Sequence, residues 1–275
     1  MARVFQQVDV FTETAYAGNP VAVVLDGNGL SDDEMQRFAA WTNLSETTFL
    51  LAPTQDGADY RVRIFTPSRE LPFAGHPTLG SCHAWLATAG AANPSEIVQE
   101  CPAGLIPIRK TAAGLAFAAP PLTRSGPVDE SLLEHLAALL QIDRADIVDS
   151  QWVANGPEWV AVLLESAQAV LDLRPLAVDL DVGAVGPYPD GAPADFEVRA
   201  FFPNRGATAE DPVTGSLNAS LAEWLLRTGR ATSPYIAGQG TCLDRAGRVH
   251  IERDDDGTIW VGGGTVTCIS GQVEI

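Results

Sequence analysis

Polar and apolar residues alternate over positions 3–10, and an apolar run fills 21–25, with the turn "YAGNP" (16–20) between them. Both stretches read as strands. The period then lengthens. Ser31 with Glu34 three residues on forms a capping box, and Met35, Phe38 and Ala39 supply the apolar face of a first helix. "ETTFLLA" (46–52) and "YRVRIFTP" (60–67) return to a strand pattern, and a helix is expected from about Pro77 to Thr88. Apolar hairpin-like sequence fills 96–119. "APPLTRSGPVD" (119–129) has the Pro and Gly density of a linker, and Leu132, Leu133, Leu136, Leu139 and Leu140 then mark another helix.

The second half repeats the first. Val62, Arg63, Phe65, Pro67 and Arg69 are matched 136 positions on by Val198, Arg199, Phe201, Pro203 and Arg205. Pro77 and Gly80 match Pro212 and Gly215 at 135, Asn19 matches Asn155 at 136, and "VAV" at 21–23 recurs at 160–162. Shared identity, order and strand-to-helix context point to two copies of one unit. "FAGHPTLGSCHAWL" (73–86) and "AEDPVTGSLNASLAEWL" (209–225) then hold equivalent places, each at a helix start. If the halves pack face to face, both starts face one cleft, and their free backbone N–H groups and positive dipole ends suit an anion. The second helix is carried by Leu217, Leu221, Trp224 and Leu225, with Gly229 as its stop. Gly75, Gly80 and Gly215 are expected to let a ligand approach the backbone closely.

Charge narrows the partners. The 275 residues carry a formal net charge of −18 with no Lys/Arg cluster, a surface that repels nucleic acid and anionic membrane. No apolar run reaches the roughly 18 residues of a membrane span and the start lacks a signal-peptide pattern, so a cytoplasmic protein is expected. Cys82, Cys101, Cys242 and Cys268 are scattered without metal-ligand spacing, which predicts reduced, mostly buried thiols and no metal site.

"NPVAVV", "NLSETTF" (43–49), "FAGHPTLG" (73–80), "EDPVTGSLNAS" (210–220) and "GQG" followed by "GRVHIE" (238–252) resemble the motifs of the phenazine-biosynthesis PhzF family. The resemblance spans nearly the whole chain, and the "EDPVTGS" block is its most diagnostic part. It implies an α+β protein of the diaminopimelate epimerase-like fold: two pseudo-symmetric α/β lobes, each a curved mixed sheet around a central helix, with the active site between them. The expected lobes are 1–120, completed by a C-terminal strand at 265–275, and 126–264. The resemblance places the catalytic residues at Glu46, His76, Asp211 and Ser216, and substrate contacts at Ser45, Gly75, Pro77, Thr78, Thr214 and Gly215. It also implies a homodimer that uses no cofactor. Epimerases of this fold oppose two cysteines as acid and base; the corresponding places here are Gly75 and Asp211, which argues against two-thiol chemistry.

The residues themselves suit a proton shift within a small carboxylic acid. Such chemistry needs one group that takes a proton from carbon and returns it elsewhere, and Glu46 heads an apolar segment where desolvation is expected to raise its pKa, as would a nearby Asp211 carboxylate. His76 would donate to the substrate or set the protonation of its neighbours. Amides near Gly75 and Gly215, with the Ser216 hydroxyl, would hold developing negative charge. Asp211 orients the site, caps the helix, or does both. The expected activity is a cofactor-independent isomerase acting on an unsaturated or cyclic acid. Two alternatives stay open: an amino-acid racemase or epimerase without the thiol pair, and a catalytically silent binding protein. His83, His135 and His250 read as structural, "RDDDG" (253–257) as a hairpin turn rather than a Ca²⁺ loop, and "GGG" (262–264) as no dinucleotide fingerprint.

Overall fold

The computed structural model describes residues 1–88, 94–204 and 206–275, in two units: Met1–Ala118 with Gly262–Ile275, and Ala119–Val261. Arg205, matched to Arg69 in the repeat, lies outside the described residues.

In the first unit the alternating N-terminal stretch forms β1 (Ala2–Val10), antiparallel to β2 (Asn19–Val24). The chain crosses through α1 (Asp32–Thr42) to β3 (Glu46–Leu51), which runs parallel to β2 with Val21 opposite Glu46. β4 (Tyr60–Phe65) is antiparallel to β3 and to the short β5 (Glu70–Leu71). After α2 (Gly75–Thr88) come β6 (Glu96–Cys101), parallel to β4, then β7 (Gly104–Thr111) and β8 (Gly114–Ala118).

The second unit opens with β9 (Arg124–Gly126) and α3 (Glu130–Leu140), followed by β10 (Asp149–Ala154), β11 (Val160–Leu163), α4 (Ala167–Leu171), β12 (Val182–Pro187) and β13 (Phe196–Asn204). β14 (Ala207–Glu210), α5 (Gly215–Arg227), β15 (Tyr235–Gln239), β16 (Gly247–Arg253) and β17 (Ile259–Gly263) complete the order. β18 (Thr265–Glu274) returns to the first unit, antiparallel to β1 with Ala2 opposite Glu274.

The two units share one wiring diagram. β10/β11 is antiparallel, β11/β12 parallel, β12/β13 and β13/β14 antiparallel, β13/β15 parallel and β15/β16 antiparallel. That is the sequence of pairings from β1/β2 to β6/β7. The side chains repeat too. Arg63 forks onto Glu70 through Nε and Nη2, both 2.7 Å, and lies 5.0 Å from the Phe65 ring centre. Arg199 forks onto Glu210 at 2.9 and 2.7 Å and lies 4.8 Å from Phe201. A planar guanidinium fits both a carboxylate edge and an aromatic face, so the whole Arg-x-Phe…Glu device was copied with the strands.

Local chemistry explains the elements. α1 starts on the expected box: Ser31 Oγ accepts from Glu34 N at 3.3 Å, and Glu34 accepts from Ser31 N at 2.8 Å. Met35 and Ala39 of α1 pack with Val24, Phe49 and Phe65. α3 is capped by Asp129 and presents Leu133, Leu136 and Leu140 to Val160, Val162, Val182 and Ala184. Apart from His76, α2 buries small or apolar residues round its whole circumference, from Gly75 to Cys82 and at Ala84, as a helix enclosed by its sheet must.

Four expectations change. The stretch 119–129 is no free linker, because β9 within it pairs with β10, Gly126 opposite Trp152, and Arg124 stacks 3.3 Å over the Trp152 ring; three residues are too few to show a hydrophobic period. Gly80 serves packing rather than a ligand: a Cβ there would stand 2.3 Å from Val21 Cγ1, so the missing side chain lets α2 lie on β2. Of the thiols, Cys82 and Cys101 are buried but Cys242 is exposed and Cys268 intermediate. The N-cap of α5 is Thr214, three residues beyond Asp211. "RDDDG" does turn the chain, with Gly257 at φ 94° donating to Asp254 O at 3.0 Å. Among the described residues, no cluster of His, Cys, Asp and Glu could hold a metal, and no helix is long and apolar enough to cross a membrane.

Candidate active site

Parallel pairing of β2 with β3 brings the N-terminal ends of both strands to one edge of the first unit, where the first turn of α2 also begins. Asn19 opens β2, Glu46 opens β3, and His76 is the second residue of α2. The three meet. His76 Nε2 is 3.2 Å from Glu46 Oε2, close but out of line for a good hydrogen bond, and Asn19 Nδ2 is 3.3 Å from His76 Nδ1. The side chains of His76 and Glu46 are 5% and 15% exposed.

Burial decides the charge of this group. With no water to solvate an imidazolium, the His76 pKa falls to about 3, so the ring is neutral at physiological pH. The positive end of α2 acts in the same direction. The Glu46–His76 contact is therefore one between a carboxyl group and an uncharged imidazole. On the side of β3 that faces α2, the residue following Glu46 in alternation is Thr48, whose hydroxyl accepts from Ser81 Oγ at 2.9 Å. Leu50 is buried further along that face, and Phe49 packs against α1 on the other.

The remaining first-unit candidates divide. Gly75 and Pro77 lie buried in the first turn of α2 beside His76. Ser45 is exposed just before β3. Thr78 is fully buried and accepts from Gln99 Nε2 at 2.9 Å, while Gln99 Oε1 accepts from Tyr60 at 3.0 Å. Its hydroxyl belongs to the interior.

In the second unit, Asp211 follows β14 and its backbone N–H bonds to Ala200 O at 3.0 Å. Thr214 Oγ1 donates to Asp211 Oδ2 at 2.6 Å. Gln239, fully buried at the end of β15, ties the segment together. Its Oε1 accepts from Thr214 N at 3.0 Å and Asn218 Nδ2 at 2.8 Å, and its Nε2 reaches Asp211 O at 3.1 Å and Thr214 Oγ1 at 3.0 Å. Gly215 and Ser216 open α5. Trp159 Nε1 lies 3.2 Å from Ser216 Oγ, and Asn155 Nδ2 donates to Ser216 O at 3.0 Å. Since indole N–H can only donate, it uses a lone pair of the Ser216 oxygen and leaves the hydroxyl hydrogen for another acceptor.

A family model for phenazine biosynthesis-like proteins, PhzC-PhzF, matches residues 8–271. The chain belongs to this family. "Antisense-enhancing sequence 1" of Schizosaccharomyces pombe is 34% identical, covering 98% of this chain and 97% of that protein. A Pseudomonas aeruginosa protein named trans-2,3-dihydro-3-hydroxyanthranilate isomerase is 37% identical over 80% of this chain and 78% of its own. The crystal structure of a Bacillus anthracis PhzF-family protein superposes with a TM-score of 0.85 at 23% identity, covering both chains fully, which establishes the shared fold. The chain is thus a PhzF-family enzyme of the isomerase class, with the α+β fold of that family.

Asn19 stands in "NPVAVV" and is matched in the repeat, Asn155 is marked only as its repeat partner, and Gln239 only inside "GQG". Asn218 stood inside "EDPVTGSLNAS", and Trp159 carried no signal, because an indole that reaches a helix start 57 residues on leaves no local pattern. The two-thiol route finds no support in the cysteines: burial pushes the Cys82 thiol up to about 12 and also raises Cys101 and Cys242. Such thiols hold their protons and make poor bases.

Proposed function

We propose that this PhzF-family protein moves a proton within a small unsaturated or cyclic carboxylic acid without a cofactor, and that Glu46 is the group that carries it. The observation behind this reading is the Glu46 carboxyl group 3.2 Å from the Nε2 of a buried, neutral His76. A carboxylate beside a neutral ring has a neighbour that does not compete with it for the substrate proton. It takes a proton from carbon while the electron pair enters the adjoining unsaturated system, and the same proton returns to a different carbon as the double bond shifts. His76 steadies the carboxylate in both states without adding charge. In the second unit, Asp211, the Ser216 hydroxyl and the start of α5 are suited to holding polar groups of a substrate.

The name of the Pseudomonas aeruginosa relative makes trans-2,3-dihydro-3-hydroxyanthranilate the first acid to test, followed by other small unsaturated and amino acids. Each is incubated in D₂O and followed by NMR. A shifted double bond supports the proposal, whereas deuterium at the α-carbon with loss of chirality supports a racemase. Glu46→Gln is expected to lower turnover by about 10²–10⁴-fold with the fold intact; an active Glu46→Gln enzyme would sink the assignment. The same reading includes a homodimer, checked by light scattering on the eluted protein, and no nucleic-acid or membrane partner.

A further inference from the structure

Asn19 is fully buried at the first position of β2, with its backbone in the ladder opposite Val10. Its side-chain nitrogen lies 3.3 Å from His76 Nδ1. An amide nitrogen offers only hydrogens, so the ring nitrogen facing it must present its lone pair. A neutral imidazole has one N–H, which then sits on Nε2, the atom 3.2 Å from Glu46 Oε2. In this tautomer a donor faces a carboxylate. In the other, a lone pair would face Glu46, a contact that is tolerable only if the carboxyl group is protonated, and a protonated carboxyl is no base.

We infer that Asn19 is a positioning residue that selects the Nε2-protonated tautomer of His76 and so keeps Glu46 as a carboxylate ready to accept a proton. The inference deepens the acid/base reading of Glu46 and rests on it. The Asn19 amide from β2 lies at Nδ1 and the Glu46 carboxyl from β3 near Nε2, one group on each ring nitrogen. Burial keeps a second proton off the ring. Asn155, its match in the repeat, also donates its amide N–H to the first turn of a helix, there to the Ser216 carbonyl rather than to a ring nitrogen.

The test reads the tautomer directly. The protein is labelled with ¹⁵N-histidine, and the four rings are assigned with His83→Gln, His135→Gln and His250→Gln, leaving His76. Long-range ¹H–¹⁵N spectra near neutral pH are expected to show His76 Nε2 protonated and Nδ1 bare, by roughly tenfold or more over the reverse form. In Asn19→Asp the new carboxylate accepts from Nδ1–H, so the preference reverses. A bare Nε2 in the unaltered protein, or an unchanged ring in Asn19→Asp, overturns the inference. Should Asn19→Asp fail to fold, the unaltered protein still decides the tautomer, and Asn19→Ser, which keeps a small polar group, is expected to erode the preference. Asn19 could fail this test with Glu46→Gln still inactive, which would leave the proton-shuttle reading standing. The expected tautomer together with an active Glu46→Gln would overturn the shuttle alone.

Discussion

The neutral state of His76 has a measurable consequence for folding. In the unfolded chain the imidazole titrates near 6.5, whereas in the native protein burial lowers it to about 3. Between those values the unfolded chain holds a proton that the native protein does not, so acid favours unfolding. Above about pH 6.5 the group contributes no pH dependence. Below it, each unit of pH removes about 1.4 kcal/mol of stability until the native ring itself protonates near 3. At roughly pH 4.5 the accumulated loss is about 3 kcal/mol, a large part of the roughly 5–15 kcal/mol that holds a typical protein together. Gln in place of His76 keeps a polar side chain of similar reach and has no proton to gain. Urea unfolding of both proteins at a series of pH values from about 7.5 to 4.5 would show the advantage of the unaltered protein over His76→Gln shrinking by about 3 kcal/mol. Carboxylates common to both proteins cancel in that difference. Parallel stability curves would show that the native ring accepts a proton freely, and the argument for a neutral partner to Glu46 would fall with it.

Two further substitutions probe what holds the candidate site. Gln239→Ala removes four hydrogen bonds at the start of α5 and leaves Thr214 N and Asp211 O without that partner, so a loss of roughly 3 kcal/mol in thermal or urea unfolding is expected; a loss under about 1 kcal/mol would mean that water replaces the amide. The repeated Arg–Glu forks should differ in weight. Arg199, 6% exposed and bonded also to the Val170 and Leu173 carbonyls, should cost about 3–5 kcal/mol as Arg199→Met. Arg63, whose partners Asp32 and Glu70 are 83% and 32% exposed, should cost about 1–2 kcal/mol. The reverse order would show that burial does not set the strength of these pairs.

Much of the architecture was legible along the chain because its causes are local or periodic. Ser31 and Glu34 announce α1 through bonds three residues apart, and Leu133, Leu136 and Leu140 announce the buried face of α3. The offset between Val62-Arg63-x-Phe65 and Val198-Arg199-x-Phe201 exposed the duplication, since a copied strand keeps the residues that its pairing and packing require. Glu46 and His76 could be picked out by chemical type and motif. What only tertiary structure decided is the state in which those groups rest. Thirty residues separate Glu46 from His76, and fifty-seven separate Asn19 from His76. Their contacts exist because a parallel β2/β3 ladder and the first turn of α2 end at one edge. The same enclosure strips water from His76 and lowers its pKa, and it sets that ring beside Glu46. Residue type determines which protons can move; solvent exclusion and the orientation of partners determine where they sit, and both depend on contacts between segments far apart in the chain.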